Sequence, residues 1–339
     1  MASKKRPTLY DVARKANVSI ATVSNVLNNK REASQQTIDR VNEAIRQLGY
    51  SRNESARSLK IGVSKLIGFI APDNNPFFTE VLTGIHEECQ NYGWQVVVST
   101  SEESESRQNE LLELLAAQQV NGIILAPVTS KLHVPEKLRK VPIVLVDREI
   151  ENAHLPVVKA NNFDGSYLAT DTLIRHGHSR IGIILASPGI STTLQRKAGY
   201  LEALKRHGIE ADEKLIDYGG DYTGTKTQIS GGYNAVVKMM NLPNPPTAIF
   251  ATNHLLMIGA LKALKEARLN IPGDISFIGF DDHPWQEITD PPFSIISQPA
   301  VEMGRQAVQA LQKYKEKNIV TTTVLQLELI TRGSYRSIT

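Results

Sequence analysis

Residues 19–28, SIATVSNVLN, place small and polar side chains where a helix would face outward. Val23, Val26 and Leu27 follow helical spacing and would face inward. Small outward side chains let a helix approach the major groove of DNA closely, methyl groups can contact thymine, and an asparagine can pair with adenine. The positions predicted to meet base edges are Ile20, Ala21, the Thr22 methyl group, Ser24, Asn25 and Asn28.

Two further helices are needed to hold such a reading helix, and the sequence predicts both. Thr8 begins a capping-box pattern that opens a first helix, Ser19 can cap the second, and Ser34 can cap a third that ends at Gly49. Two helices joined by a short turn and packed by a third form a helix-turn-helix. Residues 1–50, the head, are therefore predicted to be an all-α DNA reader, with a three-helix bundle that binds no nucleic acid as the alternative.

The charge of the chain is concentrated at its N-terminal end. Residues 1–62 hold twelve lysines and arginines against five aspartates and glutamates, a charge of +7, which leaves −4 for the other 277 residues of a chain whose total is +3. A basic segment on a mildly acidic body favours a polyanionic partner for that segment alone.

The composition bounds what the rest of the chain can be. A chain of 339 residues exceeds the size of one hydrophobic core, which favours two or more domains. The sequence contains no apolar run long enough for a membrane span and no secretory signal at its start, so a cytoplasmic protein with no membrane partner is expected. Cys89 is the single cysteine, which excludes an internal disulfide and a cysteine-based zinc cluster, and no cofactor is expected.

From Leu66 onward, short apolar runs alternate with amphipathic helical patterns. This alternation predicts βαβ units, hence parallel sheets with helices on both faces. The similar starts at residues 67–70, IGFI, and 181–184, IGII, predict two similar doubly wound halves with a ligand cleft at the carboxyl ends of their strands. The predicted strands are LIGFIAP, WQVVVST, GIILAPV, PIVLVD, IGIILASP, KLIDYGG, TAIFATN, ISFIGFD and FSIISQP.

Residues 8–13, TLYDVA, residues 18–28 apart from Ile20 and Asn25, VSxATVSxVLN, and residues 56–59, ARSL, closely resemble the signature of the lac repressor family of bacterial transcription regulators. The resemblance extends over the whole chain and implies a body of periplasmic-binding-protein-like fold at residues 64–339. Its N-terminal subdomain would comprise about 64–162 plus 295–325, and its C-terminal subdomain about 163–294 plus 326–339. It also adds Thr8, Tyr10 and Ser19 to the expected DNA-binding residues.

The resemblance gives residues 51–63 a role that their composition alone does not. In the family the matching segment forms a hinge helix on DNA, pairs with its dimer mate and inserts the residue matching Leu59 into the minor groove. An apolar Leu59, a small Ala56 and a basic Arg57 suit that role. A plain linker is the alternative.

The resemblance also implies a small-molecule effector of the sugar type. The matching positions, each near the end of a predicted strand, are Phe77, Phe78, Asp147, Arg196, Asn253 and Asp281. Each has a structural alternative, such as core packing for the phenylalanines or turn formation for Asp281. Arg148 and Lys197, beside two of these positions, leave room for a sugar acid or sugar phosphate.

We therefore expect a homodimer, or a higher assembly, that binds a pseudopalindromic operator in double-stranded DNA. It is expected to act as a repressor whose operator affinity is modulated by a sugar-type effector. A sugar-binding protein without DNA function is the alternative. A nucleotide-dependent enzyme is disfavoured because no glycine-rich phosphate loop follows any predicted strand. Asn25 departs from the family, which usually carries arginine there, so a different base preference is expected at that point.

Overall fold

The computed structural model divides the chain into two compact units, Met1–Ser64 and Lys65–Thr339, which are considered separately. No helix among the described residues is long and apolar enough to cross a membrane. The described residues are 7–27, 33–50, 64–130, 138, 140–219 and 225–338.

The head contains three helices around one small apolar core. The buried side chains Val12, Val23 and Val41 come one from each helix, so the core forms where the three apolar faces meet. Gly49 ends the third helix in a left-handed conformation with φ of 60°, as glycine does at helix ends. The helices are α1 (Leu9–Ala16), α2 (Ile20–Leu27) and α3 (Gln35–Leu48).

The body contains two six-stranded sheets, each built mainly from parallel strands. The first has strand order β11-β5-β4-β3-β1-β2 and the second β12-β10-β9-β8-β6-β7, so the two orders correspond strand by strand. Only β12 among the described strands runs antiparallel to its neighbour. The strands are β1 (Leu66–Ala71), β2 (Gln95–Thr100), β3 (Gly122–Leu125), β4 (Ile143–Val146), β5 (Val157–Ala160), β6 (Ile181–Leu185), β7 (Ile216–Tyr218), β8 (Ala248–Ala251), β9 (Ser276–Phe280), β10 (Ser294–Ser297), β11 (Thr322–Leu325) and β12 (Glu328–Ile330).

Seven helices of the described body cover the two sheets. Apolar clusters lie on both sides of each sheet, and the central strands are therefore buried on both faces. The helices are α4 (Pro76–Asn91), α5 (Glu105–Ala117), α6 (Asn162–Arg175), α7 (Ser191–Arg206), α8 (Thr225–Met240), α9 (His254–Glu266) and α10 (Ala300–Lys317).

The two halves repeat a close contact between strand and helix. A methyl group added at Gly68 of β1 would lie 2.5 Å from Leu115 of α5, and one added at Gly182 of β6 would lie 2.7 Å from Met239 of α8. Gly68 and Gly182 therefore serve the same purpose in the two halves, since each lets a helix side chain pack closely against its strand.

The chain passes between the two sheets three times. It leaves β5 for α6, returns from β10 to α10, and passes from β11 to β12. Strand β10 pairs with β9 and β12 in the second sheet. The expected start of the returning segment at residue 295 is therefore wrong by a few residues, because residues 294–297 still belong to the second sheet. The apolar run of β10 carries no mark of which sheet it joins.

Candidate nucleic-acid interface and ligand cleft

Side-chain caps fix the start of each of the three head helices. The backbone N–H of Thr8 donates to Asp11 at 2.9 Å, and the Thr8 hydroxyl accepts from the N–H of Asp11 at 3.4 Å. Asn17 takes a left-handed φ of 53° and ends α1. The hydroxyl of Ser19 accepts the N–H of Thr22 at 3.1 Å and so caps α2. Thr8 and Ser19 thus have structural roles in addition to any contact with DNA.

The outer face of α2 is open at its N-terminal end. Ile20 is 48% exposed and Tyr10 of α1 is 61% exposed, although both are large hydrophobic side chains. Ala21 is exposed, and Ser24 and Asn25 are partly exposed. Exposed apolar side chains at the start of a recognition helix suit contact with thymine methyl groups.

Four predicted DNA-binding residues cannot be placed in the same way. The described residues do not include Asn28, which follows Leu27 in the sequence, or Ala56, Arg57 and Leu59 of the predicted hinge. The Thr22 hydroxyl lies 2.9 Å from the Ser19 hydroxyl, which leaves its methyl group as the part suited to a base.

One cleft in the body brings together all six residues predicted to meet the effector. Its volume of about 40 Å³ holds only a few water molecules. The predicted residues on its wall are Phe77, Phe78, Asp147, Arg196, Asn253 and Asp281. The further lining residues are Asp73, Asn75, Glu103, Arg148, Ala186, Ile190, Thr192, Gln228 and Gln298.

Phe77 and Phe78 enter the cleft from the first turn of α4. The Asn75 side chain accepts the N–H of Phe77 at 3.1 Å, which caps the helix. The two rings meet edge to face with centroids 5.0 Å apart. Both rings also belong to the apolar core of the first subdomain, so their core role and their place on the cleft wall coexist.

Asp147 and Asp281 follow the ends of β4 and β9, and both are buried. Asp281 accepts a hydrogen bond from Gln298 at 2.7 Å. The Asp147 Oδ1 atom is buried and has no hydrogen-bond partner among the described residues. Burial raises the pKa of Asp147 to about 6, although the nearby Arg148 and Arg196 act to lower it. Burial also raises the pKa of Asp281, again against the charge of Arg196.

Arg196, on α7, is held from three sides. Its Nε donates to Asn162 at 2.8 Å and its Nη1 to the Thr252 carbonyl at 2.5 Å. The guanidinium carbon lies 3.8 Å from the centre of the Phe280 ring. Burial lowers the pKa of Arg196 despite the charges of Asp281 and Asp147. Arg196 is therefore fixed in place and compensates the two buried carboxylates.

Arg148 is already occupied by a carboxylate. It donates to both oxygens of Glu103, at 2.9 and 2.7 Å, and to the carbonyl of Pro127 at 3.2 Å. Lys197 does not line the cleft, and its ammonium lies 5.4 Å from the centre of the Tyr218 ring. The four carboxylates of the cleft outnumber its two guanidiniums. The basic residues Arg148 and Lys197 left room for an anionic sugar, and this charge balance disfavours it.

A polar chain spans the cleft from one subdomain to the other. The Asn253 amide donates to Gln228 at 3.1 Å, and the Gln228 amide donates to Asp73 at 2.8 Å. Asn253 also accepts the N–H of Leu256 at 2.8 Å, so it caps α9 as well. Sequence reasoning missed Asp73, Glu103 and Gln228, and no motif in the sequence distinguishes them.

Residues 8–53 match the bacterial regulatory proteins of the lacI family, and residues 64–330 match the periplasmic binding proteins and sugar binding domain of the LacI family. The chain belongs to the LacI family of bacterial regulatory proteins. The helix-turn-helix head and the two-sheet body are thus the family's DNA-binding and sugar-binding parts.

Three similar proteins illustrate the family. The HTH-type transcriptional repressor CytR of Escherichia coli K12 is 33% identical over 346 residues, which cover 100% of both chains. A lac repressor dimer bound to operator and an anti-inducer aligns with a TM-score of 0.84 at 26% identity, over 98% of this chain and 100% of that one. A complex of the regulator CelR with cellobiose aligns with a TM-score of 0.71 at 28% identity, over 97% and 100%.

Proposed function

We propose that this LacI-family chain is a dimeric repressor whose affinity for a pseudopalindromic operator changes when a neutral, hydroxyl-rich ligand of the sugar type occupies the cleft of the body. The observation that carries the ligand class is the cleft itself, where four carboxylates face two guanidiniums that already have partners.

The DNA-binding half of the proposal places α2 in the major groove. Ile20, Ala21, Ser24 and Asn25 would meet base edges, since Val23 and Val26 are turned into the core of the head. The excess of basic residues in 1–62 would supply phosphate contacts. Leu59 would enter the minor groove from a hinge helix that Ala56 and Arg57 help to form, one from each protomer.

The proposed class of ligand is supported by two buried hydrogen-bond acceptors that have no donor among the described residues. The Asp147 Oδ1 and Gln298 Oε1 atoms are buried and have no partner among the described residues. Ligand hydroxyl groups would donate hydrogen bonds to these acceptors. This would be favourable because a buried acceptor without a donor raises the free energy of the folded protein. A ligand carboxylate or phosphate would instead face repulsion from Asp73, Asp147 and Asp281.

Coupling to DNA would arise from the relative position of the two subdomains. A volume of about 40 Å³ is too small for a sugar ring, so a ligand can be admitted only when the subdomains separate or the cleft side chains move. The ligand then shifts the equilibrium between the two positions by its difference in affinity for them. We propose that the shift separates the hinge helices and releases the operator.

The test is a ligand panel followed by an operator assay. Neutral sugars and nucleosides, sugar acids and sugar phosphates are first compared by thermal shift with the full chain. Active compounds are then tested for release of operator DNA that has been selected with the protein. We expect stabilisation only by neutral members, and its loss in Asp281→Asn. Stabilisation only by anions would refute the ligand class.

The same assay addresses the alternative functions. Affinity for operator should fall about 10³- to 10⁵-fold between 50 and 200 mM salt if about six to ten phosphates are contacted. A chain that binds sugars but shows no salt-sensitive DNA binding would be a sugar-binding protein without DNA function. Chemical conversion of the bound sugar by purified protein would contradict a purely regulatory role.

A further inference from the structure

A contact between the two subdomains lies beside the cleft. Glu80 is on α4 of the first subdomain, and His283 is in the segment that follows β9 of the second. The His283 Nδ1 atom lies 3.1 Å from the Glu80 Oε1 atom. Because these residues are on opposite subdomains, the contact exists only while the cleft is closed in this way.

His283 is enclosed by titratable groups from several elements. Asp281 and Asp282 belong to its own segment, and Asp282 is paired with Arg332 at 2.7 Å. His254 of α9 meets the His283 ring edge to face, with ring centroids 4.2 Å apart. Only Glu80, among these groups, comes from the first subdomain.

These surroundings decide the charge of His283 in the closed body. Burial lowers the pKa of His283, but the hydrogen bond to Glu80 and the charges of Asp281, Glu80 and Asp282 more than offset this, so its pKa is raised above the ordinary value. Burial lowers the pKa of His254 to about 4, and His254 therefore stays neutral near pH 7 and adds no repulsion.

We propose that Glu80 and His283 form a pH-sensitive latch, in which protonation of His283 favours the closed position of the two subdomains. Opening removes Glu80 from His283 while Asp281, Asp282 and His254 stay with it. The latch is thus a property of the body alone and does not depend on which ligand the cleft binds.

The direction of the pH effect follows from linkage. A histidine with a raised pKa in the closed state binds its proton more tightly there than in the open state. The closed state is therefore favoured at low pH, and this advantage is lost as the pH rises through the raised pKa of His283. The Glu80 side chain is 41% exposed, so solvent screening keeps the effect modest.

The test measures closure directly in the full chain, without ligand or DNA. Spin labels on His86→Cys of α4 and Lys265→Cys of α9, both at exposed positions, report the distance between subdomains. Burial of Cys89 raises the pKa of its thiol to about 12, so labelling is directed to the introduced cysteines. Labelled chains are mixed with unlabelled chains so that each dimer carries one labelled protomer.

We expect the closed fraction to fall as the pH rises past the ordinary histidine pKa of about 6.5, with a closed-to-open ratio that changes about 1.5- to 5-fold, the range of partly exposed ion pairs. Glu80→Gln should remove this pH dependence. Glu87→Gln, which breaks the α4 contact with Arg305 within the same subdomain, is the matched control and should keep it.

A direct titration of His283 by NMR provides the second measurement. Its pKa should fall in Glu80→Gln and stay unchanged in Glu87→Gln. A closed fraction that does not depend on pH, or that depends on it equally in Glu80→Gln, would overturn the latch. Either result would leave the proposed DNA and ligand functions intact, since neither is used in the measurement.

Discussion

Asp147 and Asp281 occupy equivalent positions in the two halves of the body. Each follows the third strand in the order of its sheet, β4 in one and β9 in the other. Each takes a left-handed backbone conformation, with φ of 65° and 68°. Aspartate adopts this conformation more readily than most residues other than glycine, and here it occurs at the same place in both halves. The duplicated half thus supplies one buried carboxylate to each side of the cleft.

This arrangement has a cost in stability that a substitution should reveal. In the folded protein the pKa of Asp147 is raised to about 6, so the folded chain binds a proton more tightly than the unfolded chain between about pH 4 and 6. Stability of the wild type is therefore lost as the pH rises through this window. Asp147→Asn should raise the free energy of unfolding at pH 7 by about 1–3 kcal/mol and bind no effector.

Urea unfolding at pH 7 and at pH 4 checks this prediction. The gain should largely disappear at pH 4, where Asp147 of the wild type is protonated in the folded chain. A loss of stability at pH 7 would show instead that the charge of Asp147 is well compensated by Arg148 and Arg196.

The Glu103 carboxylate is predicted to set the preference against anions. In Glu103→Gln, Arg148 loses the carboxylate that accepts two of its hydrogen bonds and keeps the more distant Asp147, at 3.7 Å, so its guanidinium becomes more available to a ligand. The variant should then bind a sugar acid with at least about tenfold higher affinity than the wild type does, which corresponds to one charged hydrogen bond. Calorimetry with one sugar acid measures this, and Glu102→Gln, a neighbour that does not line the cleft, is the control. Equal gains in both variants would indicate a general charge effect.

Asn25 is predicted to read one symmetric pair of operator positions. Asn25→Arg should change the preferred base there, with about 1–3 kcal/mol of discrimination, while leaving the fold intact. Selection of binding sites from random DNA measures the change. Gln36→Arg adds the same charge to an exposed position of α3 and should strengthen binding without a new base preference. Identical selected sites for Asn25→Arg and wild type would mean that this residue reads no base.

Substitution by alanine is predicted to destabilise the protein more at Gly84 than at Gly68. A methyl group there would lie 1.8 Å from the Val301 carbonyl oxygen of α10, which is backbone and cannot turn aside. Gly84→Ala should cost about 3 kcal/mol or more, and Gly68→Ala about 1 kcal/mol, because its methyl group meets only the flexible end of Leu115. Chemical denaturation of both variants measures their free energies of unfolding. A larger loss of stability in Gly68→Ala than in Gly84→Ala would contradict the prediction.

The sequence predicted the strands that carry long apolar runs and missed three others. The nine apolar runs all correspond to strands of the body. Strands β11 and β12 were missed because they are half-exposed edge strands without a continuous apolar run, and β5 because its four residues are interrupted by Lys159. The sequence does not mark the start of helix α7 at Ser191, because the first turn is mostly polar and lacks a helical apolar pattern.

The same limit applies to the cleft. Asp147, Asn253 and Asp281 were predicted from the family resemblance, and their places at or just beyond the ends of apolar strands agree with a cleft there. Glu103 lies after β2 with no motif around it, and Gln228 lies within a helix, so their places depend on tertiary packing. The excess of negative charge in the cleft appears only when these residues are brought together, which is why the sequence left an anionic ligand open.

The three passages between the sheets have a mechanical consequence. They leave or reach β5 and β11, which are neighbours in the first sheet, and β10 and β12, which are neighbours in the second. Neighbouring strands lie about 4.8 Å apart, so the three connections form a narrow ribbon. Connections confined to one narrow strip fix the separation of the two subdomains at that strip and leave their mutual angle as the coordinate that a ligand in the cleft would change.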